Sequence, residues 1–335
     1  MRDKSLLVLA PSPGIGDFIV RIPAVKLLAK CFRVTLICPL PEQMRRFAEE
    51  CLGEKEVELV LAGEHYRKSK SGIILGHWGD LLYAWKHRRS STACLLMSDS
   101  NSLFGIAKYT AISLLACNAA RRFAILPGKG KFFRHENIAI PGDLQKMARY
   151  FEFSKLVLSA LEQPSEGKWD DCLPLLRPAP QSPYVVLAPG GKYRRQWWPH
   201  FDALAKWLRD RDIRTVVVGS SDERGLIEGI RQSGQEALLG ADLREVSRTL
   251  ENASVLVCND SGLLHLAVWR GTRVIAICGP RFAATWTGYP ESRVIQLYEG
   301  RPANLNEDED PEYRARCLAD IGSDRVVVEV SRILG

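Results

Sequence analysis

Three glycine-containing segments of this chain hold residues suited to binding an anion or moving a proton. The first, Gly14-Ile15-Gly16-Asp17, follows an apolar stretch and precedes a helical pattern. Glycines after a strand let the backbone approach a ligand closely, and the amides of a helix N-terminus favour an anion. Asp17 has two interpretations, an N-cap of the helix or a carboxylate that acts as a general base. The local residues alone favour the cap.

The second segment begins with Gly190-Gly191, and three cations follow within four residues, Lys192, Arg194 and Arg195. Such a segment suits a diphosphate, because close backbone donors combine with fixed positive charge. A solvated basic loop explains the same residues equally well, so the local sequence leaves both interpretations open.

The third segment, Cys258-Asn259-Asp260-Ser261-Gly262-Leu263-Leu264-His265, joins an apolar strand pattern to an apolar helical pattern. Asp260 or Ser261 would cap that helix and leave its first amides available for phosphate. His265 falls on the first helical turn, where a histidine is usually a hydrogen-bonded core residue, but this one adjoins the predicted anion site. The second and third segments and the later loop Cys278-Gly279-Pro280-Arg281 lie at successive strand ends of one domain, and together they indicate a nucleotide diphosphate site.

Short apolar strands alternate with amphipathic helices along the whole chain, which predicts an α/β fold of βαβ units and mostly parallel sheets. Ligands of such sheets bind beyond the carboxyl ends of the strands, and all three segments lie at predicted strand ends. The predicted helices begin near Asp17 and otherwise cover residues 42–51, 201–211, 223–233, 243–251 and 263–270. The predicted strands are residues 5–10, 34–38, 57–62, 72–75, 93–97, 184–188, 215–219, 255–258 and 274–277.

The length of 335 residues predicts two domains, since a domain usually has about 150 residues. Five of the 18 prolines lie between residues 164 and 183. Proline-rich stretches stiffen spacers and resist packing into helices or strands. We therefore expect an N-terminal domain over residues 1–163, a linker over 164–183 and a C-terminal domain over 184–335.

Positive charge is concentrated in the first domain. Its residues include 24 Lys and Arg against 15 Asp and Glu, whereas the rest of the chain has 22 against 24. A basic half fits an anionic ligand or an anionic membrane surface. Nucleic acid is not expected as a partner, because neither a helical recognition motif nor a paired aromatic–basic RNA motif is found.

The hydrophobic segments predict a cytoplasmic protein. No apolar run reaches the roughly 18 residues that span a bilayer; the best, residues 109–120, includes Ser113 and Asn118. The first residues lack the apolar core of a secretory signal. Nine scattered cysteines form no C-x-x-C pair, so we expect reduced, structural thiols and no metal site.

The chain resembles glycosyltransferase family nine, the bacterial ADP-heptose:lipopolysaccharide heptosyltransferases. The resemblance rests on GIGDFIVRIPAVKLLAK, PGGKYRRQWWPHFDALAKWL and NDSGLLHLAVWRGTRVIAICGP, and the closing CLADIGSDRVVVEVSRIL is also similar. It implies the GT-B fold, in which two doubly wound Rossmann-like domains face each other across a cleft. The last helix would pack back on the N-terminal domain.

The resemblance also implies inverting transfer of a heptose from ADP-heptose to an anionic lipopolysaccharide core or lipid A-type acceptor, with no metal or other cofactor. The N-terminal domain would bind the acceptor, and the C-terminal domain the nucleotide-sugar donor. The basic residues of the N-terminal domain would then attract the acceptor and allow peripheral association with the anionic inner membrane. They include Lys86, Arg88, Arg89, Lys129, Lys131 and Arg134.

By resemblance, Asp17 is the general base, which reverses the preference for the cap, and Gly14, Ile15 and Gly16 form the acceptor loop. Glu223 would hold the nucleotide ribose. The donor-binding residues implied in this way are Gly190, Gly191, Lys192, Arg194, Arg195, Gln196, Glu223, Asp260, Ser261, Gly262, Leu263 and His265.

Gln196 departs from the family pattern, which usually has a lysine three residues before the proline of a Trp-Pro pair. Lys192, Arg194 or Arg195 would have to supply that charge. The departure leaves open another nucleotide-sugar donor, a sugar-nucleotide epimerase or hydrolase, or a non-catalytic sugar-nucleotide-binding protein. An NAD dehydrogenase is disfavoured, because Ile19 occupies the third glycine position of the dinucleotide motif.

Overall fold

The structure is a computed structural model, and it falls into two compact units, Met1–Cys172 and Leu173–Gly335. The division lies inside the stretch predicted as a linker. The structure describes residues 4–12, 14–40, 44–53, 57–61, 85–86, 88–98, 102–126, 130–141, 144–178, 180–191, 194–231, 234–279, 288–300 and 311–335. The strand predicted over 72–75 and the donor-site candidate Lys192 are outside those ranges.

The first unit is built on a parallel six-stranded sheet. Its strands are β1 (Ser5–Leu9), β2 (Arg33–Cys38), β3 (Val57–Leu61), β4 (Arg89–Leu96), β5 (Cys117–Ile125) and β6 (Glu136–Ile138), in the order β3-β2-β1-β4-β5-β6. Leu6, Leu7 and Val8 of the central strand are fully buried, as expected for a parallel strand with both faces covered.

The helices of the first unit are α1 (Ile15–Ile19), α2 (Ile22–Ala29), α3 (Arg45–Leu52), α4 (Leu103–Ala116) and α5 (Lys146–Ala160), and α2 packs on α5. The single helix expected near Asp17 is therefore wrong, because two short helices replace it. Pro23 lies in the first turn of α2, where its missing amide favours a new helix start rather than a continuation.

The second unit also has a parallel six-stranded sheet. Its strands are β7 (Val185–Ala188), β8 (Thr215–Gly219), β9 (Glu236–Leu239), β10 (Val255–Asn259), β11 (Arg273–Ile277) and β12 (Val294–Leu297), in the order β12-β11-β10-β7-β8-β9. The helices are α6 (Phe201–Arg209), α7 (Arg224–Arg231), α8 (Leu243–Glu251), α9 (Gly262–Trp269), α10 (Pro311–Ala319) and α11 (Ser323–Leu334).

The last helix, α11, packs on α6 and contributes Val326 and Val330 to the core of the second unit. Its expected packing on the N-terminal domain stays a prediction. All nine cysteines are free, and seven of them are buried. Burial raises the pKa of the Cys38 thiol to about 12, so this thiol behaves as an apolar side chain.

Both sheets have the strand order 3-2-1-4-5-6, counted within each unit, which is that of a doubly wound α/β domain. The predicted α/β fold class is confirmed. The order reverses between β1 and β4 in the first unit and between β7 and β10 in the second. In such sheets, ligands bind beyond the carboxyl ends of the strands at this switch point.

The apolar run over residues 109–120 is divided between two elements, because α4 ends at Ala116 and β5 begins at Cys117. Across the described ranges, no helix is long and apolar enough to cross a membrane. Strands β5, β6, β9 and β12 were not predicted. Arg121 and Arg122 interrupt the apolar pattern of β5, and Arg122 bonds to carbonyl oxygens of its own strand at Cys117 and Ala119.

Candidate functional site

Asp17 lies just beyond the carboxyl end of β1, in the first turn of α1. This helix begins at Ile15 and its N-cap is Gly14, so Asp17 is the third helical residue. The cap interpretation of Asp17 is therefore wrong. The backbone turns from extended to helical at Gly14 (φ −77°, ψ 143°), earlier than the sequence suggested.

The Asp17 carboxylate forms an ion pair with Lys146 of α5. The Lys146 Nζ to Asp17 Oδ1 distance is 2.5 Å, and the two side chains are only 11% and 24% exposed. A Cβ at Gly14 would lie 3.0 Å from Asp17 Oδ2, so the glycine leaves room for the carboxylate. The ion pair with Lys146 thus positions this carboxylate beyond the carboxyl end of β1.

Arg21 is the largest buried polar side chain of this region, and it is 1% exposed. Its guanidinium donates to the backbone oxygen of Asp17, to Ser12 Oγ (3.2 Å), to Met97 O (3.1 Å) and to Tyr150 OH (2.8 Å). It also lies over the Tyr150 ring, 4.5 Å from its centroid. Arg21 thus joins the loops after β1 and β4, the two strands of the switch point, to α5.

In the second unit, the loop after β7 contains Gly190 and Gly191, and Glu223 holds it in place. The Gly191 amide donates to Glu223 Oε1 (2.6 Å), and the Ser220 amide donates to Oε2 (2.7 Å). A Cβ at Gly190 would overlap Glu223 Oε1, and Gly191 has a φ of 150° that disfavours other residues. Glu223 is therefore a structural link between two loops, and its contact with a ribose stays a prediction.

Asn259, at the end of β10, connects the two loops of this switch point. Its side chain is fully buried and donates to Pro189 O (2.6 Å) and Gly190 O (3.0 Å), while its Oδ1 accepts from the Trp198 amide (2.9 Å). Asn259 belongs to the third segment of the sequence, but it was not predicted to be a site residue. The local signal for such a role was that Asn259 is a polar residue at the end of an otherwise apolar strand.

Ser261 is the N-cap residue of α9, but its side chain makes no capping hydrogen bond. Its hydroxyl is buried and, within the described part of the chain, has no hydrogen-bond partner. A Cβ at Gly191 would lie 3.9 Å from Ser261 Cβ, so the loops after β7 and β10 are adjacent. The predicted N-cap position of Ser261 is therefore confirmed, although its hydroxyl makes no capping hydrogen bond that would cover the first amides of α9, Gly262 and Leu263.

Asp260, between β10 and α9, is half-buried. Burial and then the charge of Asp260 raise the pKa of the Cys258 and Cys278 thiols, which places this carboxylate near the ends of β10 and β11. Asp260 is thus part of the same sheet edge as Ser261.

His265 is buried, and its Nδ1 lies 2.9 Å from the hydroxyl of Tyr289. Burial raises the pKa of Tyr289, so that hydroxyl stays protonated. The structure therefore gives His265 the contacts of a hydrogen-bonded core residue. Its predicted role in donor binding stays a prediction.

The turn Arg194–Gln196 carries the described cations of the second segment. Arg194 and Arg195 are exposed, and Arg194 lies over the Trp197 ring at 5.5 Å from its centroid. Gln196 is half-buried. Helix α10 packs on this turn, and its Arg314 is a buried cation next to Gly279, just after β11. Arg314 was not found from the sequence.

Taken together, the first switch point offers an oriented carboxylate and the second offers amides, a free hydroxyl and nearby cations. The first suits proton transfer, and the second suits binding of a phosphate group. Within the described ranges, no three His, Cys, Asp or Glu side chains are grouped as metal ligands.

The model of glycosyltransferase family 9 (heptosyltransferase) matches residues 131–312. Among curated proteins, lipooligosaccharide heptosyltransferase 2 of Haemophilus ducreyi is 27% identical over 166 residues, covering 45% of this chain and 48% of the relative. Lipopolysaccharide heptosyltransferase 2 of Escherichia coli is 26% identical over 173 residues, covering 46% and 47%. The chain thus spans about half the length of the curated relatives it matches.

Solved structures resemble the chain over nearly its whole length. A family 9 glycosyltransferase from Veillonella parvula has a TM-score of 0.76 at 13% identity, covering 100% of this chain and 98% of the other. E. coli ADP-heptose lps heptosyltransferase II has a TM-score of 0.68 at 18% identity, covering 98% of each. E. coli heptosyltransferase WaaC with ADP-2-deoxy-2-fluoro heptose has 0.69 at 15%, covering 98% and 99%. These likenesses confirm the predicted GT-B fold.

Proposed function

The chain belongs to glycosyltransferase family 9, and we propose that it transfers a heptose, with inversion, from ADP-heptose to a sugar hydroxyl of a lipopolysaccharide core. The observation that carries the proposal is the open N-terminus of α9. The unpartnered Ser261 hydroxyl and the uncapped amides after it lie beside Gly191, in the loop that Asn259 and Glu223 hold in place.

The donor diphosphate would bind at this place. Backbone amides at a helix N-terminus stabilise negative charge, and the charge on a diphosphate grows as it leaves the sugar. Arg194 and Arg195, exposed on the adjacent turn, add positive charge. The same site would therefore bind the donor and stabilise the leaving ADP.

Asp17 would be the general base of the reaction. Its carboxylate takes the proton of the acceptor hydroxyl, the hydroxyl oxygen bonds to the anomeric carbon, and the bond from that carbon to the diphosphate oxygen breaks. The electron pair of the broken bond leaves with ADP. Lys146 and Gly14 support the orientation of the carboxylate that this step requires.

The proposal is tested by calorimetry with ADP-heptose, ADP, UDP sugars and GDP sugars, followed by an assay of ADP release with lipopolysaccharide core acceptors. We expect ADP-heptose to bind selectively and ADP to appear only when an acceptor is present. Ser261→Ala should weaken ADP binding by about three- to tenfold, the usual effect of one lost hydrogen bond. Ser221→Ala, in the turn before α7, is the matched control.

Tighter binding of another nucleotide sugar would keep the reaction class and change the donor. Conversion of donor without acceptor would indicate an epimerase or hydrolase instead. Nucleotide binding without any turnover would favour the second candidate, a non-catalytic nucleotide-sugar-binding protein. Gln196 is the observation that favours that candidate, since a neutral amide supplies no charge to a diphosphate.

A further inference from the structure

Arg314 is a buried cation of the second unit to which the sequence analysis gave no role. It lies on α10 (Pro311–Ala319) and is 5% exposed. Taking a guanidinium out of water is costly unless negative charge lies near it. The place of a buried arginine therefore indicates where the protein can hold an anion.

Gly279 makes room for the Arg314 side chain at the edge of the sheet. The amide of Cys278 still donates to Leu297 O of β12 (2.9 Å), so Gly279 is the first residue past the carboxyl end of β11. A Cβ at Gly279 would lie 3.2 Å from Arg314 Cγ and 3.6 Å from its Nε. The side chain of the arginine thus runs across bare backbone just beyond this strand.

The strand register places Gly279 beside the N-terminus of α9. Strands β10 and β11 are parallel neighbours, and their last pair is Asn259 with Ile277. Ser261 and Gly279 each lie two residues past that pair, and neighbouring strands are about 5 Å apart. Arg314 therefore lies on the β11 side of the amides and the hydroxyl to which the diphosphate is proposed to bind.

Helix α10 is held against the loop that follows β7. Trp198 Nε1 donates to the carbonyl oxygen of Ile321 (2.7 Å), and His200 Nε2 lies 2.9 Å from that of Ala319. The helix also packs on the turn Arg194–Gln196 itself. The buried arginine and the neutral glutamine of the turn are thus on elements that contact each other and are fixed in relative position.

Burial makes this charge different from the two arginines of the turn. Arg194 and Arg195 are exposed, and water and salt weaken what an exposed charge contributes. A charge inside the protein acts through a lower effective dielectric constant. A guanidinium offers paired hydrogen bonds to phosphate oxygens, and a packed one loses little conformational freedom on binding.

We infer that Arg314 binds the diphosphate of the nucleotide donor and supplies from α10 the fixed charge that Gln196 does not supply. The inference rests on the proposed function in one respect, that the ligand of the second unit is a nucleoside diphosphate. It does not depend on which sugar is transferred or on the acceptor.

The first test is calorimetry of the full chain with ADP and with adenosine, which has no phosphate. Arg314→Gln should weaken ADP binding about 10- to 100-fold, the usual effect of losing a hydrogen bond to a charged group, and leave adenosine binding unchanged. Arg314→Lys keeps the charge without the paired geometry, so it should weaken ADP binding about three- to tenfold. Arg316→Gln removes an exposed charge from the same helix and is the matched control.

The second test is rescue by a charge on the turn. In the Arg314→Gln background, Gln196→Lys should recover at least tenfold of the lost ADP affinity, although it changes little in the wild type. An arginine that only stabilises the fold would not be rescued in this way. Circular dichroism verifies that each variant folds, and Arg314→Lys carries the test if Arg314→Gln does not.

Three results would overturn the inference. They are wild-type ADP affinity in both Arg314 variants, equal loss of ADP and adenosine binding, and no recovery with Gln196→Lys. Preference of the wild type for UDP or GDP would make the proposed donor wrong, and the same variants measured with that nucleotide would still decide the role of Arg314. Binding of no nucleoside diphosphate by the wild type would overturn both proposals.

Discussion

The two sheets of this protein have the same strand order, yet their switch points are built from different chemistry. The first unit places charged side chains there, with Asp17 paired to Lys146 and both neighbouring loops held by Arg21. The second unit places backbone amides there, because Gly191 lies next to the N-terminus of α9 at Ser261, whose side chain makes no capping hydrogen bond. One topology therefore determines where a ligand binds but not what chemistry is done.

The proposed function would explain the difference by what a proton acceptor and a diphosphate site each need. A proton must be taken by a side chain with its own acid–base chemistry, so that side chain has to be oriented by neighbours such as Lys146. A diphosphate is bound by amides at close range, so side chains have to be absent and loops must be held at fixed spacing. Asn259 and Glu223 fix that spacing.

The largest expected effect is on turnover, and it tests Asp17 at the switch point of the first unit. Asp17→Asn should lower kcat by about 10²- to 10⁴-fold, the usual contribution of a general base. Donor affinity measured by calorimetry should stay near that of the wild type, because the change lies outside the second unit. Glu152→Gln, a partly exposed acid on α5, is the control and should keep full turnover. Wild-type kcat in Asp17→Asn would rule out the role as base.

The next largest effect is expected on stability, from changes to the buried guanidinium of Arg21. Arg21→Met should lower the free energy of unfolding by about 3–5 kcal/mol, because the hydrogen-bond acceptors at Ser12, Met97 and Tyr150 lose their donor. Arg21→Lys keeps the charge but loses the multiple donor geometry, so it should recover only part of that loss. The measurement is urea unfolding. An unchanged midpoint in Arg21→Met would show that these hydrogen bonds do not support the first switch point.

The switch point of the second unit is tested by adding one methyl group at Gly190. Gly190→Ala forces a Cβ into Glu223 Oε1, so stability should fall by about 1–3 kcal/mol, and ADP should bind more weakly because the loop moves. Gly225→Ala is the control, since a Cβ there meets nothing within 4 Å and a helical alanine should stabilise by about 1 kcal/mol. Thermal unfolding and calorimetry measure both. Equal behaviour of the two variants would contradict the need for close approach at Gly190.

The smallest effect is expected at Gln196. Converting Gln196→Lys should leave ADP affinity within about twofold of the wild type, because two exposed arginines on the same turn already supply charge. Calorimetry of both proteins over a range of salt concentrations measures this. A gain of tenfold or more would mean that the wild-type site lacks a phosphate contact.

Most strands were predictable because their signals are local, whereas helices α4, α5 and α10 were not predicted from the sequence. Apolar runs such as Val255–Asn259 are buried strands whose ends differ from prediction by about one residue, except β4, which begins four residues before the predicted 93–97. Strand β9 was missed because only its second to fourth residues are apolar and none is fully buried. The division into α1 and α2 was missed because it depends on how the backbone leaves β1, which the helical pattern does not encode.

By itself, the sequence determined the α/β class and the three glycine-containing segments, because strand periodicity and glycine positions are properties of neighbouring residues. Its length was enough to predict two domains. Only the tertiary structure decided which side chains hold those segments. Lys146 and Tyr150 lie 129 residues from Asp17 and Arg21, their respective partners, and Asn259 lies 70 residues from Pro189. The first two contacts form when α5 packs against the start of the chain, and the third forms when β7 and β10 become neighbours in a sheet, so no local pattern specifies them.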